Sequence, residues 1–352
     1  MSNKTLFYKS ALSGLYFSGA YHLLKNRFNG IGALLTLHHV EPAGQPREFS
    51  PNRILGITPE FLESTILQIR DMGYDIVSLD EFRRRLDNGG AGRRCVSFTL
   101  DDGYADNFHH AYPVFEKHEV PFTIYVCTGL MDQSIDLWWQ ELEDIVLAAD
   151  QLDVFLNRRQ HLFDTRTTKQ KYEAFERIYW SLRRMPLDLQ LETFAEIRGK
   201  YAQYVASPAE SDTPLSWDML AQMERSGLLT VGAHTVRHYA LSKLSVDEAK
   251  TEIATSRDVI EQHTGSKPMH FAYPYGDALS AAAREFGIVK KLGFSTGVTT
   301  RKGVIFREHA DHAFALPRVS LNGDFQQQRN VKLFLSGLPF ALFNGFRKLD
   351  VA

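Results

Sequence analysis

Short runs of β-forming residues alternate with helical patterns along most of this 352-residue chain, and no other feature restricts the fold as much. Such alternation calls for parallel strands joined by crossovers, in a sheet or a barrel. The strand signals are ALLTL before His38, DIVSL near residue 77, CVSFTL before Asp101 and FTIYVC ending at Cys127. Later ones are LLTVGA before His234, HFAY before Pro274, GFSTG around Ser295 and FALPRVSL around Pro317. Helical segments fit between them. TPEFLESTILQIRDMG has Thr58 as N-cap, Pro59 in the first turn and Gly73 as its stop. SVDEAKTEIATSRDVIEQHTG opens on a Ser245–Glu248 capping box and closes near Gly265.

The rhythm breaks from about 131 to 213, where the chain is long, charged and helical in pattern, with strand signals nearly absent. This stretch reads as an insertion between two barrel strands, not as a separately folding domain. Residues 1–30 carry a rough helical stripe interrupted by Lys9, Ser13, Ser18 and His22. They show no signal-peptide pattern and are too polar to span a bilayer. Residues 326–352 are richer in large apolar groups. They read either as a helix packed on the domain or as an interfacial segment in peripheral contact with a membrane.

Charge is balanced, 40 basic against 42 acidic side chains, which argues against a nucleic-acid binder held by a basic face. The two cysteines, Cys95 and Cys127, lie in apolar runs and read as core residues. They cannot make a disulfide framework, so nothing asks for an oxidising compartment. With no export-signal pattern and no bilayer span, the cytoplasm is the expected location, with membrane association through the termini left open.

Several strand-like runs end in a residue able to bind metal or move protons, and in parallel α/β folds sites form at the carboxyl ends of strands. In TLDDGYADN, neighbouring side chains at a strand end diverge. One carboxylate can then ligate a metal while the other accepts a proton from metal-bound water. Read alone, Asp-Asp-Gly is also a common turn. In GAHTVRHYALS, His234 and His238 stand at i, i+4, which on a helical turn brings both imidazoles to one ion. Two histidines, one carboxylate and open positions suit a hydrolytic zinc site.

The spellings TLDDG, HTVRH and FAYPYG, in that order at strand ends, resemble the polysaccharide deacetylases of the NodB-homology type, carbohydrate esterase family 4. The resemblance covers roughly residues 33–130 and 214–321. It implies an α/β fold, a distorted (β/α) barrel carrying the helical insertion, spanning 31–325 between the two terminal segments. It implies Asp101 as general base, Asp102, His234 and His238 as metal ligands, and Thr235 as a brace for the histidine loop. The backbone N–H of Tyr275 would help hold the oxyanion. Two departures stand out. The family's motif Arg is Ala272 here, and Arg318, in LPRV, is the candidate to reach the Asp101 carboxylate instead. The family's L-x-H acid motif is missing, which leaves His38, His309 and His312 as candidates.

The expected reaction is hydrolysis of N-acetyl, or O-acetyl, groups from a carbohydrate such as a chito-oligosaccharide, an exopolysaccharide or a lipid-linked glycan. The cofactor is a divalent metal, zinc first, with cobalt, nickel or manganese open. Trp138 and Trp139, with Pro274 and Tyr275, are the candidate sugar contacts, although the tryptophans suit core packing equally. Trp217 reads as packing at a helix start, and Asp136 and Asp218 as surface or capping carboxylates. Two alternatives stay open: a carbohydrate-binding protein that kept the fold and lost turnover, and a metal-dependent hydrolase of non-sugar amides.

Overall fold

The computed structural model describes residues 3–44, 48–205 and 213–351. Seven parallel strands form its centre: β1 (Gly32–Leu37), β2 (Cys95–Leu100), β3 (Phe122–Val126), β4 (Leu229–Ala233), β5 (His270–Ala272), β6 (Thr296–Lys302) and β7 (Leu316–Ser320). They pair in sequence order, and β1 meets both β7 and β2, so the sheet closes into a barrel. The seam differs on its two sides. β1 and β2 pair along their full length, from Gly32↔Cys95 to Leu37↔Leu100, whereas β7 joins β1 only at Leu35↔Val319 and Thr36↔Ser320.

Every residue of β1, β2 and β3 is buried. Parallel strands covered on both faces need continuous apolar runs, and ALLTL, CVSFTL and FTIYV supply them. At Gly32 the chains approach so closely that a Cβ would lie 1.8 Å from the Cys95 carbonyl oxygen. The outer helices keep the expected boundaries. Thr58 accepts from the Phe61 N–H ahead of Pro59–Asp71. Ser245 and Glu248 form the reciprocal capping box of Val246–Thr264, which ends at Gly265 in the left-handed region.

The described residues divide into two compact units. The barrel belongs to one, made from residues within Met1–Pro42, Leu55–Ser134 and Ser211–Ala352. Its terminal helices, Asn3–Phe17 and Ala20–Phe28 with Gln328–Leu335 and Leu338–Phe343, share an apolar cluster including Tyr21, Phe28, Leu333 and Leu338. No described helix is long and apolar enough to cross a membrane.

The other unit takes residues within Ala43–Ile54 and Ile135–Glu210. Helices Trp138–Ala148, Thr168–Arg184 and Leu187–Lys200 pack around Leu142, Ile145, Ile178 and Leu182. It also holds an antiparallel hairpin, Gln151–Leu156 with Arg159–Asp164, where the sequence reading expected almost no strand. Leu152, Val154 and Leu156 are buried while Gln151 and Phe155 are exposed, so the period of two is there. Its turn, Asn157–Arg158, has both residues at positive φ, the type I′ geometry usually signalled by Asn-Gly. Arg in the glycine position hid it. Residues 206–212 of the expected insertion lie outside the described residues.

Candidate active site

β2 ends at Leu100, and the two carboxylates that follow part company. Asp102 takes a left-handed backbone (φ 75°), and Gly103 continues it. Asp101 turns toward Arg318 of β7. The guanidinium donates to Asp101 Oδ1 at 2.7 Å and to Oδ2 at 2.6 Å, with Nε donating to the Thr299 carbonyl at 2.9 Å. Arg318 is 1% exposed. Burial opposes charge on Asp101, but the Arg318 cation outweighs it and holds the carboxyl below its ordinary range. The contact expected of Arg318 is present.

Asp102 faces the histidines. Its Oδ1 lies 3.2 Å from His234 Nε2 and 3.2 Å from His238 Nε2. Burial again works against the charge, and the two imidazoles more than offset it, carrying the Asp102 carboxyl well below the usual range. HTVRH is not the helical turn expected from its spacing. Thr235 (φ 66°) and His238 (φ 54°) both sit in the left-handed region and fold the segment into a tight loop. Such strain is characteristic of functional sites. The Thr235 hydroxyl accepts from the His238 N–H at 3.1 Å, the bracing expected of it.

One residue in that loop's support escaped the sequence reading. Glu252, 3% exposed, accepts from the backbone N–H groups of Val236 and Arg237 at 3.1 and 2.9 Å, and from Arg237 Nε. The signal was legible: Glu252 lies on the buried stripe of its helix with Ala249, Ile253, Ser256 and Ile260, where an unpaired carboxylate would be costly.

The donor set fits a cation. His234 Nδ1 contacts the Ala272 carbonyl at 2.8 Å, and a carbonyl only accepts, so Nδ1 carries the proton. In the neutral ring, the form that binds a metal, Nε2 then presents a lone pair. It faces Asp102 Oδ1, another lone-pair donor, and 3.2 Å between them is close to the ~3.3 Å that separates two ligands of a tetrahedral zinc. Among the described residues, the three side chains form a buried group able to hold a metal, their ligand atoms all within 4.8 Å.

His38 follows β1, and its Nε2 stands 4.0 Å from Asp101 Oδ2. The next residue points elsewhere: His39 Nδ1 donates to Asp106 Oδ2 at 2.7 Å, and its ring lies 3.7 Å from that of Tyr104. The Asn107 amide donates to the His38 carbonyl at 2.8 Å and fixes the turn. After β5, Tyr275 (φ 60°) sets its ring edge-on against His238, 4.8 Å between centroids. Its carbonyl accepts from the Thr300 hydroxyl at 2.6 Å. Ala272, at the motif-Arg position, contributes the carbonyl that orients His234.

Other candidates lie apart. His309 is fully buried and bonds Phe306, next to Ile305, which pairs with Gly32 at the start of β1. That is the amino end of the barrel, away from Asp101. Trp217 stacks on His263 at 3.9 Å, donates to Asp132 and begins the helix Trp217–Glu224, with Asp218 in its first turn. In the inserted unit, Trp138 packs against Tyr179 and Phe194, Trp139 is 6% exposed, and Asp136 pairs with Arg198.

A family described as polysaccharide deacetylase matches residues 88–297. A curated relative, the putative polysaccharide deacetylase YxkH of Bacillus subtilis (strain 168), is 20% identical over 276 residues, 77% of this chain and 68% of that protein. Among solved structures, the Streptococcus pyogenes deacetylase PplD in complex with acetate aligns with a TM-score of 0.55. It is 20% identical, over 83% of this chain and 92% of its own. IcaB from Ammonifex degensii aligns at 0.52 and 19%, over 87% and 97%. At these identities the two structures share the fold.

Proposed function

The chain belongs to the polysaccharide deacetylase family, hydrolases that remove N-acetyl groups from carbohydrates, and we propose that Asp101, Asp102, His234 and His238 carry out that reaction here. The observation that supports this best is the division of labour at the end of β2. One carboxylate is paired with a guanidinium and next to His38, while its neighbour faces two imidazoles at 3.2 Å.

Asp102, His234 and His238 hold a divalent cation, zinc first, though the donor set also accepts cobalt, nickel or manganese. When bound, such an ion acidifies water and polarises a carbonyl. The chain's own groups do the rest. Asp101, kept ionised by Arg318, accepts the proton of the attacking water. The Tyr275 N–H donates to the oxyanion as the carbonyl carbon becomes tetrahedral. His38 returns a proton to the leaving amine, and acetate departs.

The substrate is a chito-oligosaccharide, exopolysaccharide or lipid-linked glycan. Sugar contact falls to Tyr275, half-buried beside His238, more than to Pro274 and Trp139, which are buried. The setting we propose is cytoplasmic, with the terminal helices in peripheral contact with a membrane.

Acetate release from acetylated chito-oligosaccharides, with zinc or cobalt added, tests the reading, with an acetyl ester and a non-sugar amide as competitors. Preferential release from the amido sugar supports it. Sugar binding without acetate release, or faster turnover of the non-sugar amide, overturns it.

A further inference from the structure

At the amino end of the barrel, opposite the carboxylates, lies a cavity of about 510 Å³. It opens among residues that precede β1, β2 and the short strand Asp75–Ile76. Five cations line it: Arg27, Arg93, Arg94, Arg307 and Lys348. The one carboxylate in the wall, Glu308, is paired with Lys348 at 2.9 Å. A polar cavity with that excess of positive charge suits an anion, and four arginines can fork onto phosphate oxygens.

Arg27 and Lys348 come from the two terminal segments, and those segments are unlike the rest of the chain. Of 40 basic and 42 acidic side chains, residues 1–30 and 325–352 carry eight and one, leaving 32 and 41 elsewhere. They also expose large apolar groups: Phe17 at 74%, Leu23 at 86%, Phe343 at 60% and Phe346 at 61%. Leu23 lies one helical turn from Arg27, and Phe346 is two residues from Lys348. Phe28 and Phe346 stand 6.0 Å apart, so the two termini meet beside the cavity. Exposed Leu and Phe among cations, in a chain whose remainder is acidic, form the pattern of an interfacial surface.

We propose that the amino-end face of the barrel docks on an anionic lipid surface, with a lipid phosphate in the arginine-lined cavity and Leu23, Phe343 and Phe346 entering the interface. It rests on the peripheral contact proposed above, and names its face and its lipid chemistry. The acidic remainder of the chain is repelled by the same surface, which sets one orientation: the carboxyl ends of the strands point away from the bilayer.

Flotation of the full chain with vesicles tests this. Binding is expected to an equal mixture of phosphatidylcholine and phosphatidylglycerol, not to phosphatidylcholine alone, and high salt should weaken it. The triple variant Arg27→Glu, Arg93→Glu, Arg307→Glu should lower partitioning by about a hundredfold or more. Leu23→Ser with Phe343→Ser should lower it by about tenfold or more. Acetate release from soluble chito-oligosaccharide is unchanged in these variants, so the docking claim and the catalytic reading fail separately. Equal binding to neutral vesicles, no binding to either, or charge reversals without effect would overturn the proposal. A thermal shift with inorganic phosphate alone, without vesicle binding, would assign the cavity to a free phosphate and overturn it too.

Discussion

Arg318 grips both oxygens of Asp101, at 2.7 and 2.6 Å, across 217 residues of sequence. The pair is buried on both sides, so removing one partner strands the other. Arg318→Ala should cost about 3–5 kcal/mol in stability. Without the cation the Asp101 carboxyl titrates higher, so the acid limb of the kcat–pH profile should move to higher pH. Arg318→Lys keeps the charge and loses the fork, and should restore the limb more than the rate. An unmoved limb in a folded Arg318→Ala protein would deny Asp101 the base role.

Asp101→Asn and His234→Ala should fail in different ways. The first should lower turnover by about 10²–10⁴-fold with metal content intact. The second should also lose metal. Metal analysis beside the acetate assay checks both, and loss of metal from Asp101→Asn would mean the two carboxylates have been given each other's jobs.

Glu252 touches no ligand atom, yet it holds the Val236 and Arg237 amides of the histidine loop. Glu252→Ala should weaken zinc affinity by about 10–100-fold, the effect of removing a support behind a metal ligand. Competition with a chromophoric chelator measures it. Unchanged affinity would mean the loop keeps its shape through Thr235 alone.

His309 gives a pH dependence separate from the site. Burial carries its imidazole down to about 4. The unfolded chain takes up that proton near pH 6.5, so stability falls as pH drops from about 6.5 to about 4, by about 3 kcal/mol in all. His309→Gln should flatten that part of a plot of unfolding free energy against pH. An unchanged slope would assign the acid sensitivity to other groups.

His38 should act on kcat more than on KM. His38→Gln is expected to lower kcat by about 10²-fold, with the basic limb of the profile lost. A change confined to KM would leave His38 a substrate contact instead of an acid.

Much of this is legible in the sequence. The apolar runs marked the barrel strands because parallel strands buried on both faces cannot hide their composition. Asp101, Asp102 and His234 were readable because they come straight after such runs, and His238 by its spacing from His234. Arg318 was visible as an arginine inside a late strand signal. The loop conformation of HTVRH was not, because the same i, i+4 spacing serves a helical turn and a strained loop. The partition of Ala43–Ile54 with the inserted unit had no local signal, since only tertiary packing joins it to residues 135–210. The Asn157–Arg158 hairpin failed for want of a glycine.

The staves are added one after another along the chain, and the guanidinium that fixes the general base arrives on the last of them. The aspartate and both imidazoles therefore all precede, along the chain, the cation that orients the base. A chain without the seventh stave would keep all three cation ligands in its sequence and lose the guanidinium that fixes the base.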